Sequence, residues 1–172
     1  AAEALVVGDP KDEATQFSGA LASREHFTKV QSYLDPLALG GGQVITGGVS
    51  QGWGVRPTII TGAPADARVV REEIFGPVVV ATPFETEAEA LALANATRYG
   101  LNAMLFTENL SRAHRMAAAL RAGTVWVNCF FIRDLRAPFG GVGDSGLGRE
   151  GGAYSREFMT EPKAVVMQID PE

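Results

Sequence analysis

Residues 127 to 152, VNCFFIRDLRAPFGGVGDSGLGREGG, bring the only cysteine of the 172-residue chain, two arginines three apart and a run of glycines into one stretch. Three chemistries suit such a set: a nucleophilic thiolate, anion binding by a guanidinium, and phosphate held by glycine backbone. The phosphate loop is excluded. The glycines match neither G-x-x-x-x-G-K-[ST] nor a usable G-x-G-x-x-G, because no strand leads straight into them and no lysine follows. A nucleophilic Cys129 would need a nearby base, yet its neighbours are the apolar CFFI and neither His26 nor His114 is close in sequence. A structural or pocket-lining thiol is the expectation. Arg133 and Arg136 cannot both enter the apolar wall unless each guanidinium meets an anion, and Asp134 is one candidate.

A second stretch, REEIFGPVVV, carries Glu72 and Glu73 side by side. On an extended segment adjacent residues face opposite ways, so one carboxylate can line a cleft while the other stays solvated. They are not an acid–base pair on one substrate, and a charged entrance to a strand is the plainer alternative. Both histidines sit on helical patterns among charged neighbours and are expected at solvated surface positions.

The remaining composition narrows the classes. Net charge is −5, and no basic block exists to follow a nucleic acid or an anionic membrane, so neither is expected as a partner. Apolar runs are far shorter than the roughly 20 residues a bilayer span requires. One cysteine makes no internal disulfide, and with two dispersed histidines it makes no zinc site; no metal and a reducing cytoplasm are expected. The chain lacks an initiator methionine and opens in an apolar segment, as though cut from a longer polypeptide.

The elements that must position these residues follow from punctuation and period. Ser23 caps a helix from Arg24 to Pro36. A glycine-rich region, residues 40 to 54, encloses a short strand around VIT, and VRPTIIT reads as another strand. PVVVATPF is a buried strand. TEAEALALANATRYG is a helix with Thr86 as cap, Glu89 completing a capping box and Gly100 as terminator. LNAMLFT is a strand, a helix runs from after Asn109 to Gly123, and TVWVN is a further strand. The β-α-β-α-β order argues for an α/β fold with an open, mostly parallel sheet flanked by helices. Ligands bind beyond the carboxyl ends of such strands, where the segment 128 to 152 leaves TVWV. KAVVMQI is one more strand, free to pair elsewhere or with another chain.

Five stretches, EEIFGPV (72–78), YGLNAMLFT (99–107), RAGTVWVN (121–128), PFGGVGDSGLGREGG (138–152) and EPKAVV (161–166), together resemble the C-terminal part of the aldehyde dehydrogenase superfamily in order and approximate spacing. Within it, FIRDLRAPFGG resembles the hydroxymuconic semialdehyde dehydrogenases of aromatic catabolism, including the 5-carboxymethyl-2-hydroxymuconate type. The resemblance implies NAD-dependent (or NADP-dependent) oxidation of an aldehyde to an acid, through thiolate attack, hydride loss to nicotinamide and thioester hydrolysis. It implies that Glu73 holds the nicotinamide ribose hydroxyls, that Phe75 packs on the nicotinamide, and that Phe139 lines the substrate tunnel. Muconic semialdehydes bear carboxylates, so Arg133, with Arg136 as the alternative, is the expected carboxylate clamp. Residues 1–160 would be the later part of the catalytic domain and 161–172 the strand used for homo-oligomerisation. The family's nucleophilic cysteine and general-base glutamate lie in motifs that would precede Ala1, so no residue here is expected to be catalytic and the chain alone is expected to be inactive. A truncated module that folds and oligomerises without turnover is the competing expectation. The chain departs from the resemblance at Gly143-Asp144, where relatives often carry lysine, and at LDPLALGGG, which looks shortened.

Overall fold

Ser23 is extended, and its hydroxyl accepts the backbone N–H of His26 at 3.1 Å, capping helix α1, Arg24–Ser32. The computed structural model describes residues 1–49 and 52–169. In it α1 stops before the expected Pro36, because the N–H groups of Tyr33 and Leu34 return to carbonyls only three residues back and tighten the last turn. Pro36 instead begins α2, Pro36–Leu39, at a position where a missing N–H costs nothing.

The chain divides into two units, Ala1–Leu93 and Ala94–Glu172. In the first, β1 (Gln43–Val49) runs antiparallel to β2 (Val55–Thr61), which pairs in parallel with β3 (Val78–Ala81). The single turn of α3, Arg68–Arg71, precedes β3, so Arg71 ends a helix and does not start a strand. Val30 of α1 and Tyr33, the residue just after that helix, pack with Val55, Ile60, Val69 and Ile74 to form the core. The buried Thr58 beside it donates to the Arg56 carbonyl at 2.6 Å and accepts the Gly48 N–H at 2.9 Å, which removes the cost of burying a hydroxyl. Gly47 has φ +94° and its α-carbon lies against the Pro57 carbonyl, where no side chain fits.

Helix α4, Glu87–Asn95, begins at Thr86, whose hydroxyl accepts the Glu89 N–H at 3.1 Å; the Glu89 carboxylate accepts from Glu85, one residue before the expected box partner. Gly100 does not end this helix. Asn95 does, its amide accepting from Arg121 at 2.8 Å and donating to the Ala119 carbonyl at 3.0 Å at the end of α5, Leu110–Ala119. That helix stops short of Gly123 and is capped, as expected, by Asn109.

In the second unit β4 (Asn102–Leu105) pairs in parallel with β5 (Thr124–Val127). Two of the three strand pairings are therefore parallel, but the strands form two sheets, because the ladder of β3 among the described residues goes back to β2 and not on to β4. Helix α6, Gly152–Met159, follows the glycine-rich segment and has no counterpart in the sequence reading. KAVVMQI forms no strand: residues 161–169 find no ladder partner among the described residues, and Val166 and Ile169 are 94% and 85% exposed. Residues 170–172 of the expected association strand lie outside the described residues.

Asn128 locks the carboxyl ends of β4 and β5 together. Its N–H donates to the Leu105 carbonyl, and its side-chain amide both accepts the Thr107 N–H and donates to the Thr107 carbonyl, all at 2.8 Å. It does so at φ +55°, a left-handed conformation that asparagine tolerates better than most residues. Asn128→Ala should lower stability by about 1 to 2 kcal/mol, combining lost hydrogen bonds with backbone strain. Asn128→Gly should cost less, since glycine keeps the left-handed turn; denaturant midpoints showing the reverse order would contradict this account.

Candidate functional site

Beyond Asn128 the chain folds back over the indole of Trp126. That buried ring donates its Nε1–H to the Ile132 carbonyl at 2.9 Å, meets Phe130 edge to face at a centroid distance of 6.2 Å and lies against a tilted Phe131 at 5.8 Å. Phe131 is itself left-handed, at φ +56°. This second reversal brings Arg133 over two aromatic faces, its guanidinium carbon 4.9 Å from the centre of Phe139 and 5.8 Å from that of Phe131. Arg136 is held differently. Its Nε and terminal nitrogen donate to the Asp134 carboxylate at 3.0 and 2.6 Å, and its backbone N–H reaches the same carboxylate at 2.9 Å. Those side-chain bonds first, and the backbone bond second, hold the Asp134 carboxyl below its usual range, and the side-chain bonds raise Arg136. The sequence left Asp134 open to either arginine; the structure gives it to Arg136, and among the described residues Arg133 has no carboxylate partner.

Arg133 and Phe139 line one open concavity of about 290 Å³, together with Trp126, Leu135, Glu150 and Ser155. Phe139 is fixed there by backbone exchange with Glu150, 2.8 Å in each direction. Arg149 donates to the carbonyls of Gly141 and Gly148, each at 2.7 Å, which closes the glycine-rich segment on itself. The α-carbon of Gly123 lies against the Gly140 carbonyl, so a side chain there would push the segment off the end of β5. Asp144, at the departure from the resemblance, forms an ion pair with Arg98 at 3.1 Å. Cys129 is half-buried and outside this lining, with no hydrogen bond among the described residues.

In the first unit, Glu72 and Glu73 part company as adjacent extended residues should. The Glu72 carboxylate accepts from the Tyr33 hydroxyl at 2.8 Å and from Arg68 Nε at 3.0 Å, while Arg68 lies 4.2 Å over the Tyr33 ring. Burial, and then the bond to Glu72, raises the Tyr33 phenol above its usual value. Glu73 makes no hydrogen bond or ion pair among the described residues. Glu73 and Phe75 border a shallow depression of about 400 Å³ beside β3, and Phe75 is 70% exposed at φ +59°. A bulky residue in that region costs of order 1 kcal/mol or more and persists only where its surroundings enforce it. His26 does not stand free in solvent as expected: it is half-buried, with Nε2 2.6 Å from the Phe75 carbonyl. The sequence signal was present in the spacing of His26, Val30 and Tyr33, which at i, i+4 and i+7 share one helix face.

A parallel α/β arrangement with a glycine-walled concavity beyond a strand end agrees with the comparisons. Residues 1–165 match the aldehyde dehydrogenase family, and the chain belongs to that family. It is 49% identical to 2-hydroxymuconic semialdehyde dehydrogenase of Pseudomonas sp. (strain CF600) over 98% of this chain and 36% of that protein. It is 48% identical to 2-aminomuconic 6-semialdehyde dehydrogenase of a Pseudomonas species, over 99% of this chain and 36% of that one. The NAD+ complex structure of aldehyde dehydrogenase from Bacillus cereus superimposes with TM-score 0.88 at 38% identity, covering 98% of this chain and 35% of that one. The chain thus spans about a third of the length of these relatives. No helix among the described residues is long and apolar enough to cross a membrane.

The pairing of Asp134 with Arg136 has a sign in pH. A carboxyl depressed by folding stabilises above its unfolded pKa, and that stabilisation is lost as pH falls through the folded value. The 13C carboxyl titration of Asp134 should therefore show a midpoint below the ordinary aspartate value of about 3.9. Arg136→Ala should move it upward; an unchanged midpoint would mean that the pair does not persist in solution.

Proposed function

We propose that this chain supplies the substrate-facing and nicotinamide-facing parts of an NAD-dependent dehydrogenase that oxidises a carboxylate-bearing semialdehyde of the hydroxymuconic type. The observation that carries the reading is the unequal treatment of the two arginines. Arg136 is saturated by Asp134, whereas Arg133 is oriented by aromatic faces that leave its N–H groups to an incoming anion. The muconic relatives support the choice of anion, since a muconic semialdehyde has a carboxylate for Arg133 to clasp. Phe139 and Trp126 provide the apolar wall beside it.

The donor set of the first unit fits a nicotinamide dinucleotide. Glu73, a carboxylate with no partner among the described residues, would accept two vicinal ribose hydroxyls, and the exposed ring of Phe75 would lie against the nicotinamide. The cofactor, when bound, takes up the hydride released in oxidising an aldehyde to an acid. Holding the substrate's carboxylate end still is the contribution of Arg133, because a reacting carbon must be positioned within a few tenths of an ångström to react efficiently. Residues 163–169 are the segment we assign to association with a second copy, since Val165, Val166, Met167 and Ile169 are exposed and the backbone there has no ladder partner among the described residues.

In the full-length enzyme Arg133→Ala should raise KM for a carboxylate-bearing semialdehyde about 10- to 100-fold, the equivalent of roughly 1.5 to 3 kcal/mol for a charge-assisted bond. It should scarcely change KM for a short neutral aldehyde. Equal losses on both substrates, or discrimination lost only in Arg136→Ala, would overturn the assignment of Arg133. Deleting residues 163 to 172 should lower the sedimentation coefficient; an unchanged oligomer would remove the association role.

A further inference from the structure

The conformation of Phe75 needs a cause outside its own residue. Phenylalanine does not adopt φ +59° for want of alternatives, and the following Gly76 and Pro77 do not impose it. Helix α1 offers one. Three of its residues or their immediate successors, His26, Val30 and Tyr33, lie on one face and each engages the segment 72–76. Tyr33 holds the Glu72 carboxylate at 2.8 Å. The Val30 methyls lie 2.9 and 3.0 Å from where a Cβ on Gly76 would stand, so the backbone passes directly over that side chain. His26 Nε2 lies 2.6 Å from the Phe75 carbonyl. A carbonyl oxygen only accepts, so Nε2 carries the proton in this contact whether the ring is neutral or charged.

We propose that His26 is a positioning residue for the nicotinamide site: its hydrogen bond to the Phe75 carbonyl holds that residue in the left-handed turn that sets Glu73 and Phe75 for the cofactor. The inference rests on the nicotinamide reading of Glu73 and Phe75 given above. Glu72 and Gly76 are anchored at the two ends of the segment, but neither anchor specifies the rotation of the peptide between Phe75 and Gly76. The imidazole does, because it bonds the carbonyl of that peptide. Free of it, Phe75 can relax to negative φ, which swings the neighbouring Glu73 and the ring itself away from their present directions. A role confined to α1 is distinguished by where the damage falls: the capping bond from Ser23 uses the His26 backbone N–H, which every substitution keeps.

The test uses the full-length enzyme and four measurements: NAD dissociation by calorimetry without aldehyde, hydrogen exchange of the peptide covering residues 72 to 77 without cofactor, KM for the aldehyde, and melting temperature. His26→Ala should raise the NAD dissociation constant about 3- to 10-fold, the range expected for one hydrogen bond, and speed exchange across residues 72 to 77. The aldehyde KM should not change. His26→Gln, whose side-chain amide can donate to the same carbonyl, should restore both cofactor affinity and slow exchange. Unchanged affinity and exchange in His26→Ala would overturn the inference, as would a loss that His26→Gln fails to rescue at an unchanged melting temperature. If His26→Ala fails to fold, His26→Gln retaining wild-type affinity while His26→Leu loses it carries the same decision, and equal affinities would refute it. Glu73→Gln separates the two layers. If it weakens NAD binding while His26→Ala does not, only the positioning role fails; if Glu73→Gln leaves NAD binding intact, the nicotinamide reading fails with it.

Discussion

The amide of Asn128 satisfies both backbone groups of Thr107 while its own N–H completes the ladder to Leu105. Three bonds from one left-handed residue end two strands at the same level and turn the chain sharply away from the sheet. Everything on the substrate-facing side follows from that direction. The chain must come back over Trp126, the second left-handed residue at Phe131 completes the return, and the indole N–H fastens it at Ile132. A strand end that continued straight would leave Arg133 in solvent with no aromatic faces beside it. Because parallel strands present their ligand sites at carboxyl ends, fixing that end fixes the place where chemistry can occur.

Two arginines three residues apart meet different electrostatic fates within this turn. Asp134 curls onto Arg136 through both side-chain and backbone bonds, a local closure that needs nothing from the rest of the molecule. Arg133 lies instead on the rings of Phe131 and Phe139, which the folded segment brings to it from either side in sequence. Aromatic faces attract a guanidinium without consuming its in-plane N–H groups, which remain available to an anion. A carboxylate in the same position would have neutralised it. The glycine-rich segment serves this arrangement by proximity: Gly123 and Gly140 meet backbone to backbone, and the wall bearing Phe139 approaches as closely as it does because no side chain intervenes.

Much of the fold was legible in local chemistry. Ser23, Thr86 and Asn109 were read as caps and each accepts the expected N–H three residues on, because capping depends only on a short side chain and its own backbone. The strands around VIT, VRPTIIT, VVVA, NAML and TVWV were read from apolar runs between turns. What local chemistry does not determine is pairing. KAVVMQI has strand composition and no ladder partner among the described residues, since a ladder is a property of two segments. His26 was taken for a surface residue because its charged neighbours describe one side of α1, whereas its ring faces a loop almost fifty residues away. Gly100 was read as a helix stop, but its amide belongs to Ser145 and its helix had already ended at Asn95.

By itself, the sequence determined the class of protein and the inventory of groups: one thiol with no base near it, two arginines and one aspartate, two adjacent glutamates, and glycines too numerous for a plain loop. These follow from residue type and spacing, which folding does not alter. Only the tertiary structure decided which glutamate Tyr33 would claim and that a histidine on α1 would reach the carbonyl of Phe75. Those choices turn on distances of about 3 Å between residues far apart in the chain, and a hydrogen bond weakens steeply beyond that range. Spacing along a sequence carries no information at that scale until the chain has closed on itself.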